Sequence, residues 1–338
     1  MKTTISLLAA LFAFLGVCHG QTPVAGYVVC WEGTTRANNR VYLVSSAGQP
    51  LTNATAVFAG HGCGYALTTE GTVTSWECNY PNDVQVAKLV QLDGQTLSNV
   101  VAISDKNNGR RALALRKDGT VVGWGWDRSV AASNILSING RFGWAVTHEG
   151  TVTNVVWGES FEGLSNIVEV VTGTDAHPKY FGLKRDGTVV ALMDNKYNPP
   201  SLLPPGLSNV ITLAAGYGYT LALRKDGTVV SWGNYLSADE IASSPMEPAA
   251  WAEKWLVHVN GQLLTNVVAI AAGGDGMNAV YSMALKADGT LAQWGRSSGN
   301  RLAVPEGLTN VVAIACGNGF CVAITTNAAV AARFRQKQ

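Results

Sequence analysis

Charge is scarce in this chain. Charged residues make up 14% of its 338 positions, and the net charge is +1. Such a surface lacks the clustered Lys and Arg that neutralise phosphates, so a nucleic-acid partner is excluded. Histidine is scarce too. Beyond residue 20 it occurs at His61, His148, His177 and His258, scattered with no metal-ligand spacing. The sequence has no G-x-S-x-G elbow, no phosphate-binding glycine loop and no candidate Cys–His pair. No catalytic residue, metal or cofactor is therefore assigned. Helical periodicity is nearly absent. The apolar run at the N-terminus is shorter than the roughly 20 residues a membrane-spanning helix needs, and no later run reaches that length.

That N-terminal run is the first positive signal. Lys2 is followed by the apolar stretch Ile5 to Val17, then by Cys18 and Gly20 two apart. This order predicts a secretory signal peptide over 1–20 and a mature chain over 21–338. The bulky Val17 argues against a lipid anchor on Cys18. The expected location is outside the cytoplasm: periplasmic, cell-surface or extracellular. Five cysteines remain in the mature chain. Export permits disulfides, and an odd count leaves at least one thiol unpaired.

The chain repeats itself. "LALRKDGTVVSWG" at Leu221 is echoed by "LALRKDGTVVGWG" at Leu113 and "MALKADGTLAQWG" at Met283. The turn glycine recurs at Gly26, Gly71, Gly119, Gly150, Gly187, Gly227 and Gly289, about 44 residues apart on average. A second phrase, of the type "LTNVVAIAAG" at Leu264, also recurs seven times. Its apolar run reads as a strand buried on both faces. Asp-Gly between two short apolar runs predicts a hairpin with a two-residue type I′ turn. A repeat of this length made of strands predicts an all-β, seven-bladed β-propeller. The first repeat begins at its third strand, so the N-terminal "GYVVCW" is expected to close the ring by joining the last blade. The tail "NAAVAARF" (Asn327 to Phe334) is its rival for that place.

These phrases resemble the regulator-of-chromosome-condensation type of repeat over essentially the whole mature chain. The resemblance implies the seven-bladed fold. It is less specific for function, because propellers host many. The family's nuclear role, nucleotide exchange on a small GTPase, sits poorly with a signal peptide and a neutral charge. Bacterial secreted members include an inhibitor of β-lactamases, whose loop aromatics form the binding face.

If the repeats are scaffold, function lies where they differ. Trp31, Trp76, Trp124, Trp157, Trp232 and Trp294 share one blade position and read as packing residues. The loops joining first to second strands leave on one face. They carry His61, Phe142, Tyr180, Tyr217, Tyr219 and Phe320 as candidate partner-binding residues. An insertion at 237–262 adds Trp251 and Trp255, four apart. Counting outward from Glu70–Gly71 as a two-residue turn, Cys63 faces Cys78, and the two form the first predicted disulfide. Cys316–Cys321 is the second, leaving Cys30 free. The reading is an exported, monomeric, non-enzymatic module that binds a macromolecule, expected to be a protein. The alternative is a carbohydrate-binding or carbohydrate-active propeller that stacks a glycan on these aromatics.

Overall fold

The computed structural model describes residues 24–32, 40–60, 62–78, 86–105, 111–125, 130–139, 143–173, 180–192, 203–233, 255–274, 279–297 and 303–334. Seven antiparallel sheets of three or four strands form seven blades. Their innermost strands are Ala54–Ala59, Val100–Asp105, Ile135–Asn139, Ile167–Thr172, Val210–Ala215, Val267–Gly274 and Val311–Cys316. Each carries a bulge between its first and third residue. A bulge bends a strand and raises its twist. One defect in the same place in every blade thus gives the sheets a common shape.

The N-terminal strand closes the ring. Tyr27–Glu32 is the third strand of the last blade, paired from Tyr27↔Thr325 to Glu32↔Phe320. Arg40–Leu43 forms the outer edge of that sheet. The rival tail takes another form. Ala328–Ala332 is a short helix, capped by Asn327 Oδ1, which accepts from the Ala329 and Val330 amides. Four of its five residues are alanine, the best helix former.

The blade turn differs from the expected two-residue form. In Asp226-Gly227 the Gly227 N–H donates to Arg224 O, and Arg224 N–H donates to Thr228 O. Only Gly227 has positive φ, at 78°. This is a three-residue loop, a type I turn closed by a glycine bulge, and not a two-residue type I′ turn. Thr228 explains the choice. Asp226 Oδ1 accepts from both the amide and the hydroxyl of Thr228, at 3.0 and 2.6 Å. Two-residue I′ turns do occur, in the small hairpins between blades. Their central pairs Ala47-Gly48, Asp93-Gly94 and Asn260-Gly261 all have positive φ at both residues.

The second repeated phrase works as an inter-blade staple. Its asparagine takes positive φ at Asn99, Asn134, Asn166, Asn209, Asn266 and Asn310. There its carbonyl accepts from its own blade's turn, as Lys225 N–H to Asn209 O at 2.8 Å. The next amide donates to the preceding blade's turn glycine, as Val210 N–H to Gly187 O at 3.0 Å. The shared Trp position holds for Trp31, Trp76 and Trp232, all buried. Trp124 and Trp294 are half-buried. Trp157 departs from it and is 54% exposed. Its strand ends early, at Asn154, whose Oδ1 accepts from the Val156 and Trp157 amides and turns the chain outward.

Candidate functional site: the axial cavity and the face around it

The innermost strands of all seven blades line one cavity of about 250 Å³. The third residue of these strands is Ala56, Ala102, Ser137, Glu169, Thr212, Ala269 and Ala313 in turn. Small side chains suit seven strands converging on an axis. Glu169 is the exception. It is 6% exposed, and its carboxylate accepts from Thr212 Oγ1 and the Leu213 amide, both at 3.3 Å. Burial pushes its pKa up to about 8, against the pull of those two bonds. At neutral pH it is therefore mostly the neutral acid. The signal for it was a lone acid in "NIVEVVTG", where other repeats carry Ala, Ser or Thr.

Around one mouth of the cavity run the loops between first and second strands. Three of them share a construction. In Gly216–Tyr219, Gly273–Tyr281 and Gly317–Phe320 the ring lies over the glycine. A Cβ at those glycines would stand 2.2, 2.4 and 2.5 Å from ring carbons. Two of these aromatics then reach the next blade. Tyr219 Oη donates to Tyr281 O at 2.6 Å and accepts from Ser282 Oγ. Tyr281 Oη donates to Gly317 O and accepts from the Gly319 amide. Asn318 N–H donates to Gly60 O and carries the chain of contacts into the first blade. There Tyr65 Oη donates to Asp105, on the second blade, at 3.3 Å. Burial holds the Tyr219 and Tyr281 phenols well above the usual range, so they stay protonated donors.

This geometry corrects part of the expected partner surface. Tyr219 is 7% exposed, Phe320 0% and Tyr180 8%. Tyr180 packs edge-on against Trp144 with centroids 6.2 Å apart. These three are frame residues, because the preceding glycine or a neighbouring ring draws each aromatic inward. Tyr217 sits on the same face and is half-buried. His61, Phe142 and Trp251 lie outside the described residues. Trp255 is half-buried against the core between the fourth and fifth blades. The end of the 237–262 insertion, with Val259, Asn260 and Gln262, walls a second cleft of about 640 Å³ beside Trp294 and Lys286.

The cysteine expectations divide. The three-residue turn shifts the register by one, so Cys63 faces Glu77 and not Cys78. Successive residues of a strand point to opposite faces. Cys63 packs on the cluster of Tyr65 and Ile103, whereas Cys78 is buried with Cys30 and Tyr42. A Cys63–Cys78 disulfide is thereby contradicted. Burial, then Asp105 and Glu77, pushes the Cys63 thiol up to about 12. Cys316 does face Cys321, with sulfur atoms 2.7 Å apart.

Comparison with known proteins places these features in context. Residues 210–234 match the family described as regulator of chromosome condensation (RCC1) repeat. The human E3 ubiquitin-protein ligase HERC2 is 30% identical over 218 residues, a stretch that is 57% of this chain and 4% of that protein. The fold is similar to Prp20p of Saccharomyces cerevisiae, in a structure reported with that protein's binding to Gsp1p and histones. The TM-score is 0.57 at 16% identity, over 98% of this chain and 97% of the yeast one. A structure of Kap60 bound to yeast RCC1 (Prp20) gives a TM-score of 0.59 at 16% identity, over 98% and 96%. At such identity the likeness is one of fold.

Proposed function

Starting from a chain that is a seven-bladed propeller of RCC1-type repeats, we propose that it is an exported, non-enzymatic module that binds a protein partner on the face of the first-to-second-strand loops. The observation that carries this reading is the pinned rim. Tyr219, Tyr281 and Asn318 tie consecutive blades together at the loop level. A rim held in this way loses little freedom when a partner docks, and preorganisation of that kind favours affinity. The frame aromatics supply rigidity. Recognition then falls to other residues of these loops: Tyr217, together with His61 and Phe142, which the sequence assigns to the loops of the first and third blades.

The described carboxylates speak for binding over chemistry. Asp118, Asp186 and Asp288 sit in turns, where the hydroxyls of Thr120, Thr188 and Thr290 hold them below the usual range. Glu169 is bonded into the frame. RCC1-type propellers are in general binding and exchange modules, which supports the same choice. Export rests on the N-terminal signal and a monomeric state on the reading of the sequence.

The test is affinity capture from the exported proteome of the source organism. The bait is residues 21–338, beside a His61→Ala, Phe142→Ala, Tyr217→Ala triple variant. A protein held by the first and lost by the second supports the loop face. Equal capture by both would sink it and move attention to the cleft beside Trp294. The glycan alternative keeps one specific support, the 54% exposure of Trp157. Thermal stabilisation by a soluble glycan, abolished by Trp157→Ala, would favour it.

A further inference from the structure

The seam where the ring closes holds a buried group of side chains that the partner-binding reading does not use. Cys30 lies in the N-terminal strand, opposite Val322 on one side and Tyr42 on the other. Cys78 lies just past the third strand of the first blade, its amide donating to Gly62 O at 2.7 Å. The two thus belong to the last and first blades. Their sulfur atoms and a carboxylate oxygen of Glu32 all lie within 4.8 Å of one another. Cys30, Cys78 and Glu32 are 0%, 1% and 3% exposed. Tyr42 Oη donates to Glu32 Oε1 at 2.6 Å and lies 4.0 Å from the Cys78 sulfur.

Two chemistries suit such a group, a metal ion or a disulfide. A closed structural zinc site takes four ligands, as a rule cysteines and histidines. The described residues here offer three, one of them a carboxylate that already accepts the Tyr42 proton. A disulfide needs only the two sulfurs, and it removes two buried thiols from a core whose other side chains, Tyr42 apart, are aliphatic or are Phe320 and Trp76.

We infer that Cys30 and Cys78 form a disulfide that latches the N-terminal strand of the last blade to the first blade. The pairing also resolves the odd count. With Cys316–Cys321 as the second bond, Cys63 is the unpaired thiol. The oxidant is a small-molecule or protein disulfide of the glutathione class. One cysteine thiolate attacks an oxidant sulfur and expels one thiolate, which takes up the proton released. The other cysteine then attacks the mixed disulfide and expels the second. Two S–H bonds and one S–S bond break; one S–S bond and two S–H bonds form. Burial holds the Cys78 thiol well above its usual range, so the bond forms while the seam is still open. The bond fixes the N-terminal strand beside the first blade, where it is placed to pair with Phe320–Thr325 and close the ring. This inference is independent of the partner-binding reading.

The experiment is oxidative refolding of residues 21–338 in a glutathione redox buffer, followed by alkylation without reduction, proteolysis and peptide mass mapping. The expected result is a reducible Cys30–Cys78 linked peptide pair, with Cys63 alkylated. Alkylated Cys30 and Cys78, or a Cys63–Cys78 or Cys30–Cys321 link, would overturn the assignment. So would one equivalent of zinc in the purified protein that disappears in a Cys30→Ala, Cys78→Ala variant. A second measurement needs no mapping. Cys30→Ala, Cys78→Ala and the double variant should each melt about 10 °C below the oxidised protein, with the singles equal to the double. Losses that add, or that persist when reductant is present in all samples, contradict a shared bond.

Discussion

Raising the pH from 4 to 9 should weaken this fold, and one substitution should remove the effect. Glu169 is buried beside Thr212 and Leu213, and burial raises its pKa from 4.5 to about 8. The unfolded chain releases that proton near 4.5, whereas the folded chain keeps it to about 8. Between those values the native state binds more protons, so stability falls as pH rises. The contribution is fully present below pH 4.5 and is lost by the time the pH has passed 8. Each pKa unit corresponds to about 1.4 kcal/mol, so the whole span comes to about 5 kcal/mol. Glu169→Gln keeps the shape and an acceptor for Thr212 but cannot titrate. The assay is urea unfolding of both proteins at half-unit steps of pH, followed by tryptophan fluorescence. The difference between them isolates Glu169, because every other titrating group is common to both. The wild type should lose several kcal/mol relative to the variant between pH 4.5 and 8. Parallel pH profiles would refute the reasoning.

Three further outcomes follow from the fold. Trp232→Ala should destabilise by about 3–5 kcal/mol, because the ring is 1% exposed and packs edge-on against Phe181, whereas Trp157→Ala should change urea stability by less than about 0.5 kcal/mol. Asn209→Ala should lose about 1 kcal/mol in the same assay and Asn209→Gly much less, because the backbone there has φ of 56°. Tyr219→Phe strips a donor from the buried Tyr281 carbonyl and an acceptor from Ser282, and should lose about 1–3 kcal/mol in urea unfolding and weaken partner capture by loosening the rim.

The seven blades and the closure of the ring were legible because two independent phrases counted the repeats and the first repeat began at its third strand. Register was less legible, and the reason is local. Asp-Gly makes a type I′ turn at Asp93-Gly94, where both residues take positive φ. It makes a three-residue turn at Asp226-Gly227, where Thr228 follows and its amide and hydroxyl both bind Asp226. The first blade has the same three-residue turn at 69–71, where Thr72 donates its amide to Thr68 Oγ1, and the one-residue shift sets Cys63 opposite Glu77 and leaves Cys78 in another cluster. The loop aromatics failed for a different reason. Spacing placed Tyr219 and Phe320 on the correct face, but it could not show that each ring folds onto the glycine before it. The pairing of that glycine with an aromatic a few residues on was in the sequence, and it marks frame residues. Trp157 shows the converse. Two extra residues after the turn, with Asn154 as the stop, carry it off the shared position and into solvent.

The most direct test of the central claim is hydrogen–deuterium exchange of residues 21–338 with and without a captured partner. The loop-face account predicts slowed exchange at 60–62, 106–111, 140–143 and 216–218. It predicts no change at the turns around Gly71, Gly119, Gly187 and Gly227, on the opposite ends of the strands. Protection confined to those turns, or to the cleft walled by Val259, Gln262 and Trp294, would contradict it.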